Sequence, residues 1–291
     1  MRYEGDIYRP PSEAYSLLIQ ATIGCSHNKC AFCGMFKEKR FRVRKLDEIA
    51  ADLRECRSVY RRVDRIFLCD GDAMCLAAGK LIDILGVIRE LFPECRRVGI
   101  YSRSRGILDK SEKELRGLRE AGLGIAYIGA ESGSEEVLRR MNKGESIADI
   151  TSAVRKAELS GIQTSVTFIS GLGGRELMRE HALETGRVIG EMGASYVSLL
   201  TLMVERNAPI YREIAEGRFE LLTGREVLEE AKLILETVPD EMERCVFRSN
   251  HASNYVSLKG DLPSDRERMI SQLEAAIADE SLMKDERFRM L

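Results

Sequence analysis

Three cysteines stand within nine positions of this 291-residue chain: Cys25, Cys30 and Cys33, in the stretch IGCSHNKCAFCGM. Their spacing is C-x4-C-x2-C. Thiolates are soft ligands, suited to zinc and to iron–sulfur clusters. Four would close a site; three leave a position over. A [4Fe–4S] cube held by three thiolates keeps one iron without a protein ligand, open to a small molecule. The zinc reading needs a fourth ligand, and His27 is the residue inside the loop that offers one. It sits only two residues from Cys25, an awkward chelate.

The elements that must position this loop are legible as an alternation. Short β-branched runs read as strands at 16–23, 64–69, 97–102, 124–129, 163–170 and 195–203. Amphipathic stretches lie between and after them. In 45–63, Leu46, Ile49, Leu53, Cys56, Tyr60 and Val63 fall on one face. Further helices are expected over 77–92, from a capping box of Ser111 and Glu114, and over 147–160, 176–192, 225–238 and 264–278, the last opened by Ser264. Six βα units argue for a parallel sheet with crossover helices. The fold class expected is α/β, a partial (β/α)6 TIM-like barrel with a short C-terminal extension. The core barrel spans 1–238, after a short N-terminal segment of about fourteen residues, and 239–291 closes it. Within 240–260 the sequence offers one irregular strand-like piece.

In such folds ligands bind beyond the carboxyl ends of the strands. The loops at those ends carry the cysteines after the first strand, Asp70-Gly71-Asp72 after the second, Ser102 at the end of the third, AESGSEEVLRRMNKG after the fourth, SGLGG after the fifth and MVERNAP after the sixth. The loop from Gly24 to Arg44 is long for a compact domain, and long loops of this kind are usually functional.

With these residues in view, the chain resembles the radical S-adenosylmethionine (radical SAM) enzymes over roughly 14–238. That family carries a cysteine motif on the loop after the first barrel strand, usually C-x3-C-x2-C, with an aromatic residue before the last cysteine. Phe32 stands there in this chain, and the first gap is one residue longer. The segment IGAESGSEEVLRRMNKG is similar to the branch of oxygen-independent coproporphyrinogen oxidase, the tRNA methylthiotransferases and Elongator-type proteins. The resemblance implies a [4Fe–4S] cluster on Cys25, Cys30 and Cys33. It implies S-adenosylmethionine (SAM) contacts from Phe32, Gly71, Asp72, Ser102, Glu131, Ser132, Lys143, Ile169, Gly171 and Met203. Asp72 would meet the methionyl amino group, Glu131 the ribose, Lys143 the methionyl carboxylate, and 169–171 with Met203 the adenine. It further implies a one-electron reductant such as flavodoxin or ferredoxin, and a radical that abstracts hydrogen from substrate.

Several residues also have plain structural readings. Asp72 could cap a helix, as could Glu131 and Ser132. Lys143 could be a solvated charge, and Cys56 is core. No C-x2-C spacing supports a second site on Cys69, Cys75, Cys95 or Cys245. The basic run KEKRFRVRK is either a solvated face or a surface that steers an anionic substrate. His251, in FRSNHASNY, and Glu205 are candidates for the substrate pocket. A rival class is a non-catalytic scaffold or electron carrier using the same loop.

Composition narrows the rest. The formal charge is −2, from 45 basic and 47 acidic residues, so there is no bulk attraction to nucleic acid or anionic membrane. The N-terminus lacks an apolar signal region, and no apolar run approaches the ~18 residues of a membrane span. The expectations are a cytoplasmic protein with reduced thiols, a small-molecule substrate, and no nucleic-acid or membrane partner.

Overall fold

The computed structural model describes residues 2–290. Its strands are β1 (Leu17–Gln20), β2 (Thr22–Ile23), β3 (Arg42–Val43), β4 (Arg65–Cys69), β5 (Arg97–Ser102), β6 (Leu123–Glu131), β7 (Gln163–Ser170), β8 (Tyr196–Thr201), β9 (Cys245–Ser249) and β10 (Leu258–Leu262). Eight form one sheet in the order β1-β4-β5-β6-β7-β8-β9-β10, and β2 with β3 makes a separate ribbon. The pairing is parallel from β1 through β4 and β5 to β6, and again from β7 through β8 to β9, with β10 antiparallel to β9. This is the mixed α/β fold of partial-barrel type that the sequence implies. The strands β5 and β7 have the limits read from their runs of apolar residues. Such runs are what a parallel strand covered on both faces requires.

The segment 240–260 departs from expectation by supplying two strands rather than one irregular piece. Cys245, Phe247 and Ser249 are buried, alternating with less buried Val246 and exposed Arg248. In β10 only Leu258 and Leu262 are buried. Half-buried strands this short, with charged residues on their open face, carry no continuous apolar run to announce them.

The chain divides into two compact units. The first comprises Met1–Asn28, Met35–Ile128 and Ser152–Thr164. Its core holds Ile19, Ile66, Phe67, Leu68, Ile100 and Ile125. Helix Leu46–Val59 covers it with Ile49, Leu53 and Cys56 of the face read from the sequence, Leu46 of that face being exposed, and helix Ala78–Leu91 with Leu81, Ile84, Leu85 and Ile88. The first of these helices stops short of Tyr60, which is exposed, while Val63 is buried beyond its end. Cys56 is core, as its position on the stripe suggested. Ser111 and Glu114 form the expected capping box. At the N-terminal end of the strands Glu13 is fully buried, accepting the Tyr127 hydroxyl at 2.5 Å and pairing with Arg97 and Ser16.

Part of the basic run after the cysteines is taken up in ion pairs, while Arg40 and Lys45 are exposed. Arg44 pairs with Asp52 at 2.7 Å, both side chains out of solvent. Lys39 pairs with Asp70 at 3.0 Å, and Arg42 with Glu4. Antiparallel pairing of β2 with β3 closes the neck of the long loop.

The second unit comprises Lys29–Gly34, Gly129–Thr151 and Ser165–Leu291. Helix Gly174–Met192 packs on Gly224–Thr237, which packs in turn on Arg266–Ala278. The last begins at Arg266, with Asp265 rather than Ser264 immediately ahead of it.

Candidate functional site

In the first unit, the two aspartates after β4 have different partners. Asp70 Oδ2 accepts the Gly24 amide at 2.9 Å and the Gln20 amide at 3.2 Å, beside the Lys39 ammonium. Asp70 therefore fixes the entry to the cysteine loop. Asp72 accepts the Arg103 amide at 3.1 Å and the hydroxyl of Ser26, the residue after Cys25. It precedes a short 3-10 turn, but its side chain does not cap it. The carboxylate is buried and joins the exits of β4 and β5 to the start of the cysteine motif. Ser102 is buried there too, its hydroxyl donating to the Arg103 carbonyl at 2.7 Å.

Gly71 is a close approach rather than a flexible point. A Cβ at this position would stand 2.6 Å from the Phe36 ring and 2.9 Å from Cys25 Cβ. Buried Phe36, which also meets the Tyr8 ring edge-on, thus presses the β4 exit against Cys25. Lys110 donates to the carbonyls of Met74 and Gly106 at 2.7 and 2.8 Å, holding the turn that follows Asp72. Burial lowers the pKa of this amine, against the nearby charges of Cys75 and Asp72. Burial likewise pushes the Cys75 thiol up to about 12, aided by Asp72.

In the second unit, the segment Lys29–Gly34 is clasped by its own neighbours. The Ala31 amide donates to the Met141 carbonyl at 2.8 Å, and the Ile210 amide to the Ala31 carbonyl at 2.9 Å. Asn142 donates to the Lys29 carbonyl at 3.1 Å and Asn207 to the Gly34 carbonyl at 3.1 Å. A side chain at Gly34 would run into Asn207 and Glu205. Phe32 packs with Ala31 against the apolar cluster of Val137, Met141, Leu172, Ala208 and Ile210. Ile169 joins the same cluster, and Met203 follows β8 half-buried.

Lys143 is buried, not solvated. Its ammonium lies 3.1 Å from Glu131 and 3.7 Å from Glu145. Burial would lower its pKa, but the charges of Glu131, Glu145 and Cys30 outweigh that and hold it above the ordinary lysine value. Glu131 adopts a left-handed backbone, φ 70°. Neither it nor Ser132 caps the helix Glu135–Arg140; Ser134 does, accepting the Val137 amide. Ser132 is fully buried against His181, with Oγ 2.7 Å from Nδ1. His251 Nδ1 lies 2.9 Å from the Ser253 hydroxyl, and burial, then Lys284, lowers its pKa.

Sequence reasoning missed Ser26 and Phe36 in the first unit, and His181 with Glu230 behind β7 in the second. Glu230 did leave a signal. It sits among Val227, Ala231 and Ile234 on the buried face of its helix, where a carboxylate is out of place.

All three motif cysteines are half-buried, and none is held in a disulfide among the described residues. Among the described residues no three His, Cys, Asp or Glu groups are arranged about a single ion. A cube takes its thiolates on separate irons and does not call for that arrangement. Thiolate donors, a clasped loop and glycines with no room for a side chain fit an iron–sulfur cluster.

Comparison with known proteins agrees. The family model described as the radical SAM superfamily matches residues 19–185. The heme chaperone HemW of Bacillus subtilis (strain 168) is 22% identical over 192 residues, 65% of this chain and 49% of HemW. The chain therefore spans about half the length of the curated relative it matches. Coproporphyrinogen III oxidase (HemN) from Escherichia coli superposes with a TM-score of 0.55 at 19% identity, over 76% of this chain and 52% of that one. The radical S-adenosylmethionine methyltransferase TsrM from Kitasatospora setae gives 0.57 at 20% identity, over 70% and 39%. The match to HemN accords with the branch that residues 128–144 resemble. Among the described residues no helix is long and apolar enough to cross a membrane.

Proposed function

The chain belongs to the radical SAM superfamily, whose cofactors are a [4Fe–4S] cluster and SAM, and on that premise we propose that it is an enzyme abstracting hydrogen from a small-molecule substrate. Cys25, Cys30 and Cys33 are the proposed ligands of three irons. A cluster held there would supply the one electron that divides SAM into methionine and the 5′-deoxyadenosyl group needed for hydrogen abstraction. The protein's part is to bind, orient and shield.

Asp72 is the proposed acceptor for the methionyl ammonium, and Gly71 the point where the backbone comes close. Ser102 lies beside them. Lys143 is the proposed partner of the methionyl carboxylate. Its charge is already secured by Glu131 and Glu145 in a buried setting, where an ion pair is worth more than in water. Glu131 is the proposed ribose contact, with Ser132 beside it in the chain as a further proposed contact of the cofactor. Ile169, Gly171 and Met203 are proposed to lie along the adenine, with Phe32 on the cluster side. Glu205 and His251 are proposed for the substrate pocket. Glu205 sits at the clasped cysteine loop, and His251 in a polar turn tied to β8 through Ser253 and Thr201. A flavodoxin- or ferredoxin-type donor would supply the electron.

The observation that carries this reading is the three-cysteine motif in a chain of this family, with the segment bearing Cys30 and Cys33 clasped by hydrogen bonds. Anaerobic reconstitution tests it: about four irons and four sulfides per chain are expected, as for one cube. The EPR spectrum of the reduced protein should change when SAM is added. Zinc in place of iron, or a spectrum indifferent to SAM, contradicts the proposal.

A further inference from the structure

Behind the exit of β7 lies a buried polar chain that the reading above does not use. Glu230, on the helix Gly224–Thr237, accepts the Ser170 hydroxyl at 2.5 Å and the Gly171 amide at 2.6 Å, both on Oε2. The same oxygen stands 4.0 Å from Nε2 of His181, on the helix Gly174–Met192. On its other side the imidazole meets Ser132, which follows β6. Glu230, His181, Ser132 and Ser170 are all essentially without solvent exposure. Among the described residues, Glu230 Oε1 has no hydrogen-bond partner.

A carboxyl group in such a place is costly, since burial disfavours its charged form and leaves one oxygen unsatisfied. Burial pushes Glu230 up to about 7, against the bonds from Ser170 and Gly171, and pushes His181 down to about 4. For core packing alone a leucine would serve better. What the carboxyl does is hold Ser170 and Gly171 from behind, while the Ser170 carbonyl accepts the Leu202 amide at 2.9 Å. Gly171 has φ +83°, a conformation side chains rarely adopt, so this turn needs support from its surroundings.

We infer that Glu230 is a positioning residue for the nucleoside end of SAM. It does not touch the ligand. It fixes the Ser170–Gly171 backbone and stands against His181, whose ring meets Ser132 at the exit of β6, next to Glu131. The inference rests on the proposed placement of adenine along 169–171.

The test compares Glu230→Gln, which keeps a carbonyl acceptor, with Glu230→Met, which keeps the bulk and removes it. Both are reconstituted with the cluster, and SAM affinity is measured by equilibrium dialysis beside iron content, Tm and amide exchange over 170–173. Glu230→Met is expected to keep its iron, to exchange faster over 170–173, and to bind SAM about tenfold more weakly, the scale of one hydrogen bond to a charged group. Glu230→Gln should stay within about threefold of wild type, as the retained acceptor implies. A folded, iron-loaded Glu230→Met protein with wild-type SAM affinity overturns the inference, even if its exchange is faster. Should Glu230→Met not fold, Ser170→Ala removes one of the two donors and is expected to weaken SAM binding about threefold; unchanged affinity there overturns it equally. Failure of the wild type to bind SAM is a different result and sinks the functional proposal instead.

Discussion

The Lys143 ammonium lies 3.1 Å from the Glu131 carboxylate, with both side chains almost out of solvent. Glu145 stands on its other side at 3.7 Å. One cation thus serves two buried acids next to the cysteine segment of its own unit. Replacing it by Lys143→Met leaves both carboxylates without their counter-charge. Breaking a buried pair from one side costs about 3–5 kcal/mol. A large fall in Tm is expected in the protein without SAM, and in any cluster-loaded fraction SAM binding should weaken further. An unchanged Tm would mean that Glu131 and Glu145 do not depend on this lysine.

Gly71→Ala tests the packing at the β4 exit. The added methyl would meet Phe36 and Cys25, and overpacking of this kind costs about 1–3 kcal/mol. The variant should be less stable and retain less iron after reconstitution. Adding Phe36→Leu, which withdraws the ring edge, should recover part of both losses. No recovery would place the strain elsewhere.

The cysteines divide sharply. Cys30→Ala should lose the cluster, whereas Cys75→Ala should keep it. The Cys75 thiol is pushed up to about 12 by burial and Asp72, the opposite of what a thiolate ligand needs. Iron and sulfide analysis of the two variants decides between them, and a four-iron cluster surviving in Cys30→Ala would require another ligand set.

Stability should respond to pH through Glu230 and His181 in opposite senses. The folded carboxyl titrates near 7 instead of its ordinary 4.5, so between these values the native state holds more protons than the unfolded chain. Its contribution therefore falls as pH rises through that window. The folded imidazole titrates near 4 instead of 6.5, so the native state holds fewer protons there, and its contribution rises with pH from 4 to 6.5. In Glu230→Gln the falling arm is removed. The stability of that variant relative to wild type should increase from pH 4.5 to 7, as read by urea unfolding at fixed ionic strength. A constant difference across the window would show that Glu230 ionises normally.

What was legible in the sequence follows from the range of the interaction involved. Strands β5 and β7 and the helix capped by Ser111 were readable because neighbours within a few residues determine them. The short pair β9 and β10 was not, because each is recognisable only once the other is in register with it. The cysteine motif and the strand-end residues were found as types and spacings. Their supports were not: Phe36 lies against Gly71 from 35 positions away, and Asn207 holds the Gly34 carbonyl from 173 positions away. The bare charge of Lys39 said nothing of its pairing with Asp70. His181 looks like an ordinary polar residue of a helix until Ser132, 49 positions away, is seen against its ring.

The central claim is that this chain uses its cysteine loop to cleave SAM. It is tested most directly by incubating the anaerobically reconstituted protein with dithionite and SAM and measuring 5′-deoxyadenosine by mass-resolved chromatography. Release from the wild type, and none from Cys30→Ala, is the predicted result. A protein with a full complement of about four irons that releases no 5′-deoxyadenosine would contradict it.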